Sequence, residues 1–102
     1  MRIVALSKWK PEKWPEVVKR FVDYLKGANS EVLEASQRVK DITWEFGSAF
    51  GMNRAVWIVE GEPRDLSILL RYWMDLMTFD VFPTFDFEVI KKFYPDKHPY
   101  YE

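Results

Sequence analysis

Few side chains in this sequence could do acid–base or metal chemistry, and they are scattered. The one histidine, His98, stands in the stretch HPYY near the C-terminus. Its imidazole could serve as a general base or an axial ligand. A lone histidine in such a tail is more often a surface or tail-packing residue. Zinc and copper sites take several converging ligands. One histidine and no cysteine do not supply them, so no metal is expected. Calcium or magnesium held by carboxylates alone would need a loop of the EF-hand kind, and there is none. Asp75, Asp80 and Asp86 share neither a helix face nor a strand alternation. Asp75 and Asp80 read as a helix-end and an edge-strand polar group. There is no G-x-S-x-G, P-loop or G-x-G-x-x-G motif. No cofactor is implied, no catalytic residue is assigned, and whether the protein is an enzyme stays open.

Binding is the better-supported chemistry. Trp9, Trp44 and Trp57 fall on three different strand-like segments and could line one apolar cavity, with Ser7, Arg54 and His98 as its polar members. A small hydrophobic ligand requires such a pocket, apolar with a few polar groups. The competing use of these tryptophans is to fill a core where each indole N–H finds a partner.

The elements that must position these residues follow from hydrophobic periodicity. Arg2 to Trp9, RIVALSKW, is a short apolar run stopped by Pro11 and predicts a first strand. Trp14, Val17, Val18, Phe21, Val22 and Leu25 recur at helical spacing. Pro15 suits the first turn of that helix and Gly27 a left-handed stop. The stretch 28–37 is ambiguous: Ser30 could cap a short helix burying Val32 and Leu33, or the chain could run irregularly into the next strand. VKDITWEF then alternates, with Ile42, Trp44 and Phe46 on one side and Asp41, Thr43 and Glu45 on the other. RAVWIVE, Arg54 to Glu60, is the next strand, and the two form a hairpin across the loop flanked by Gly47 and Gly51.

GEPRD opens a second firm helix, with Pro63 in its first turn and the core face Leu66, Leu69, Leu70, Trp73 and Met77. From Thr78 the period becomes two, and Phe79, Val81, Pro83, Phe85 and Phe87 share one side of a last strand. Proline donates nothing to a ladder, so Pro83 places that strand at an edge or a bulge. Residues 88–102 form a polar-aromatic tail. The order βαββαβ predicts an α+β fold of ferredoxin-like kind, an antiparallel sheet with helices on one face, strands 1 and 3 central and strands 2 and 4 at the edges.

A sheet covered on one face should alternate apolar with polar. The two central strands do not: Val4 and Leu6 stand opposite Ile3 and Ala5, and Val56 and Ile58 opposite Ala55, Trp57 and Val59. Phe82 adds to the uncovered side. A second copy, sheet to sheet about a two-fold axis, would cover it. Ile68 and Tyr72, roughly opposite the core face of their helix, extend the surface expected to meet a partner. The dimer-interface candidates are therefore Val4, Leu6, Val56, Ile58, Ile68, Tyr72 and Phe82. Scattered surface hydrophobes are the ordinary alternative.

Composition bounds the rest. The chain has 102 residues, enough for one domain spanning 1–102 and too few for two. An apolar fraction of 48% with 18% aromatics excludes a disordered chain. Fifteen basic and sixteen acidic residues give a net charge of −1, which leaves no basic excess for nucleic acid or anionic lipid. No apolar run approaches the ~20 residues of a membrane span, and MRIVALSKW is too short and polar for a secretory signal. The expectation is a cytoplasmic protein.

The segment WMDLMTFDVFP, Trp73 to Pro83, resembles the close of a small uncharacterised domain family with the ferredoxin-like dimeric α/β-barrel fold. In that family a tryptophan-bearing helix is followed by F-[DE]-[IV]-x-P on the last strand; here one extra residue precedes Phe79. The layout is similar over about 90 residues, including the K-P turn before the first helix. The resemblance implies a homodimer whose two sheets enclose a cavity, and it implies no reaction. The wider fold group includes cofactor-independent quinone-forming monooxygenases and haem-degrading enzymes; the latter place a histidine in the pocket, whereas His98 lies in the tail. RAVWIVE lacks the basic-aromatic string of RNA-recognition domains, and SKWKPEKW is not the phosphate loop of an acylphosphatase. The reading is a homodimer binding a small hydrophobic molecule. The alternatives are an interaction module without a ligand and a cofactor-independent oxygenase or isomerase.

Overall fold

The two most apolar strands pair with each other. β1 (Arg2–Lys8) and β3 (Arg54–Glu60) run antiparallel with Ala5 opposite Trp57 and Leu6 opposite Val56. The computed structural model describes residues 1–47 and 53–84. Around the central pair, β2 (Lys40–Phe46) joins β3, and β4 (Thr78–Pro83) joins β1. The sheet has the order β2-β3-β1-β4 and is antiparallel throughout. Pro83 thus sits on an edge strand, opposite Ile3, where its missing N–H breaks no outer ladder.

Among the described residues three helices accompany the sheet: α1 (Trp14–Leu25), α2 (Ser30–Arg38) and α3 (Pro63–Trp73). A single 3-10 turn, Pro11–Lys13, leads into α1. Gly27, at φ +98°, ends α1 in the left-handed conformation that suits glycine. The ambiguous stretch 28–37 resolves as helix, with a correction to its cap. Asn29, not Ser30, accepts from the Val32 N–H at 3.0 Å. α2 buries Val32 and Ala35 and leaves Leu33 exposed. The order is therefore β-α-α-β-β-α-β, one helix more than the periodicity settled.

One face of the sheet carries the core. Ile3, Ala5, Trp57 and Val59 pack with Val32 and Ala35 of α2 and with Leu66, Ile68 and Leu69 of α3. A second cluster at the other end joins Trp9, Val17 of α1, Ala55, Trp73 and Met77. Trp73 and Met77 thus lock α3 to the sheet.

Two expectations about surface and face are corrected, those for Ile68 and Asp41. Ile68 is 7% exposed and belongs to the core, because α2 covers the side of α3 that two helices alone would leave bare. Tyr72 is half-buried, its ring centroid 6.0 Å from Tyr24 and 5.4 Å from Trp73. Both residues are thus used within the chain. Asp41 lies on the core side, not opposite it. The register slips between Asp41 and Thr43, and this bulge reverses the alternation and turns Ile42 out, 40% exposed.

Candidate ligand-binding site

The aromatic side chains divide into a filled core and an open end. Trp44 and Trp57 stack with centroids 4.5 Å apart and planes 18° apart. Phe21 and Tyr24 of α1 meet Trp44 edge-on, both at 5.5 Å. Trp57 is 2% exposed, and its indole N–H donates to Asp41 Oδ1 at 2.8 Å. The Ser7 hydroxyl is buried and donates to the Ala55 carbonyl at 3.4 Å. Trp57 and Ser7 are therefore core members with their polar atoms used. Arg54 is opposite Lys8 on the other side of the sheet and exposed. The two recesses lined by Trp9 include neither Trp44 nor Trp57, and neither Ser7 nor Arg54. His98 and the tail 88–102 lie outside the described residues.

Of that set, Trp9 lines both recesses described below. It follows β1, where its backbone N–H donates to the Asn53 carbonyl at 3.1 Å. Asn53, at φ +63°, and Gly47, at φ +106°, are left-handed residues flanking β3 and β2, and Gly47 N–H donates to the Arg54 carbonyl at 3.0 Å. Two left-handed residues close the hairpin base against Trp9. Pro11 then turns the chain into α1, which brings Trp14 over Trp9. The two rings stack 5.8 Å apart at 13°.

Two recesses share Trp9 and Pro11. One, of about 340 Å³, is lined by Trp9, Pro11, Trp14, Gly47 and Asn53. The other, of about 610 Å³, lies between the same wall and the turn after α3, with Met74, Leu76, Met77 and Thr78 on its far side. Both volumes fall in the range of small-molecule sites. Trp9 is 8% exposed, yet its indole N–H is buried with no acceptor, although buried donors are paired in the great majority of cases. Trp73 has the same unpaired donor but borders neither recess. Sequence reasoning missed Trp14, which fits the apolar period of its helix. The signal that could have found it is W-K-P-E-K-W, two tryptophans bracketing a proline turn.

The groups around the second recess are charged. Asp75 accepts two hydrogen bonds from Arg20, each 2.8 Å long, and the guanidinium holds its carboxyl below the ordinary carboxylate range. Arg20 also donates to the Tyr72 carbonyl at 2.5 Å and lies 5.2 Å from the Tyr72 ring centre. This arginine fastens α1 to the end of α3. Asp80 is exposed on β4 opposite Leu6, and Asp86 lies outside the described residues. Among the described residues no cluster of metal-ligating side chains is present, and no helix is long and apolar enough to cross a membrane.

No family model matches the chain, and no curated protein matches its sequence. The described residues define an α+β domain with a four-stranded antiparallel sheet and three helices.

Proposed function

We propose that this is a ferredoxin-like domain that pairs sheet to sheet as a homodimer and binds a small hydrophobic molecule at its Trp9 end. The single observation that carries the binding reading is Trp9: buried, bordering two recesses, and holding an indole N–H without an acceptor. A ligand's apolar body would lie against the Trp9 ring and cover Trp14 or Met77. The pairing is supported by the strand order and by an apolar strip on the face away from the helices. Val4 stands between Ile58 and Phe82; Leu6 is 40% and Phe82 50% exposed. Val56, named with them from the sequence, is buried within the single chain at 7%, so the interface rests on the other four. The likeness of WMDLMTFDVFP to the dimeric α/β-barrel family points the same way.

The test is native mass spectrometry of gently purified protein. A dimer with additional retained mass is the expected result. A monomer throughout the micromolar range overturns the pairing. A Trp9→Ala variant that keeps the retained mass removes Trp9 from the binding site.

One observation favours an interaction module instead. α1 leaves Trp14, Val18, Val22 and Leu25 exposed, a stripe at helical spacing beside the face it buries. A ligand-free dimer would turn the reading toward that surface.

A further inference from the structure

The larger recess has a composition that its apolar walls alone do not explain. Its floor is Trp9, Pro11, Leu76 and Met77, and its rim carries Lys8, Lys10 and Lys13 against one acid, Asp75. The charges of two of these are already matched within the chain. Asp75 is held by both guanidinium nitrogens of Arg20, and Lys13 lies 3.5 Å from Glu16. Lys8 and Lys10 have no ion-pair partner among the described residues.

Lys8 has a further peculiarity. Its direct cross-strand neighbour on β3 is Arg54, and both side chains are exposed. Like charges directly opposite in an antiparallel pair are unfavourable. Asp80, the nearby acid on β4, is opposite Leu6 and makes no ion pair with Lys8 among the described residues. A chain of net charge −1 thus places on the lining of one apolar recess two lysines without an ion-pair partner among the described residues.

We infer that the ligand is an anionic amphiphile. Its apolar body lies on Trp9, Leu76 and Met77, and its carboxylate or sulfonate meets Lys8 and Lys10, with Arg54 adding to the local positive field. This inference rests on the hydrophobic-ligand reading above and names the chemical class. Arg54 acts here only through its charge, as the cross-strand neighbour of Lys8. The unbranched thioether side chain of Met77, and that of Met74 beside it, suit an apolar body of variable shape.

The experiment uses the full chain and two probes of nearly equal shape, 1-naphthoate and its neutral analogue 1-naphthamide, titrated calorimetrically at low and high salt. The expected result is that naphthoate binds about fivefold or more tightly than naphthamide at low salt, the scale of one exposed ion pair. That preference shrinks in high salt, where exposed charges are screened. In a Lys8→Gln, Lys10→Gln variant the preference disappears while naphthamide binds as before. Both lysines are exposed, so the variant is expected to fold, which circular dichroism checks. Equal affinity for the two probes overturns the anion assignment and leaves the hydrophobic reading standing. A preference that survives the double variant also overturns it, because the charge is then read elsewhere. Binding of neither probe up to the millimolar range overturns both readings.

Discussion

The Trp57 indole N–H donates to Asp41 Oδ1 at 2.8 Å, a bond made between β3 and a residue that the β2 bulge has turned to the core side. Trp57 is almost wholly enclosed, and its donor points to an acceptor on the exposed edge strand β2. Asp41→Ala is expected to cost about 1–3 kcal/mol, the penalty of stranding a buried donor. Asp41→Asn keeps an acceptor and should cost much less. In a Trp57→Phe background, Asp41→Ala should be nearly neutral, since no donor remains to be stranded. Denaturant unfolding of the four proteins closes the cycle, and an equal cost in both backgrounds would refute the pairing.

Asp65 predicts a pH dependence. Its side chain is 6% exposed and takes hydrogen bonds from Arg38 Nε and Nη2, the shortest 2.7 Å. The bidentate guanidinium holds the carboxyl below its ordinary 3.8, with burial opposing. A carboxylate whose folded pKa is depressed contributes stability above the unfolded value and loses it as pH falls through the folded value. The pair should therefore stabilise fully at neutral pH and fade below about pH 4. Asp65→Asn should lower stability at pH 7 and flatten the acid limb. An acid limb as steep as that of the unaltered protein would count against this assignment.

Tyr24 gives the opposite limb. Burial among Trp44, Tyr72 and Trp73, and then the charge of Asp41, push its phenol up to about 12. An acid whose folded pKa is raised binds its proton more tightly when folded. Its contribution is full below the unfolded value of 10.0 and is lost as pH climbs toward 12. Absorbance titration of the phenols should show Tyr24 ionising well after a free phenol, with Tyr72, whose phenol burial also raises, displaced in the same direction. Tyr24→Phe should remove that late component and hold stability more nearly constant between pH 10 and the point of alkaline unfolding.

Gly61 is required by close approach. A Cβ built there would stand 2.7 Å from Val39 Cγ1 and 3.3 Å from Val39 Cβ, while the Gly61 N–H is held to the Met1 carbonyl at 2.9 Å. Gly61→Ala should destabilise by about 1–3 kcal/mol through overpacking. Val39→Ala removes the methyl group in the way, so the double variant should recover much of the loss. Thermal unfolding midpoints measure it; additive losses would mean that Val39 is not the obstacle.

Much of the fold is legible in the residues. The helical spacing from Trp14 to Leu25 and from Leu66 to Trp73, the runs RIVALSKW and RAVWIVE, and the proline at position 83 lead to α1, α3, the central strands and an edge strand. These are local properties: a period of 3.6 or 2, a missing N–H, a glycine where φ is positive. The existence of α2 was undecided because a nine-residue helix with two small buried residues has little period to show.

What only the tertiary structure decided is which neighbour covers which side chain. Ile68 reads as surface on its own helix and is core because α2 packs there. Asp41 reads as the polar side of β2 and faces Trp57 because one bulge shifts the register. Five tryptophans look alike in sequence. Trp57 is core with its indole N–H held by Asp41, whereas Trp9 lines two recesses beside the proline turn into α1. Periodicity tells a residue's direction from its own backbone. Burial depends on what other segment arrives there, and that is settled by contacts between residues far apart in the chain.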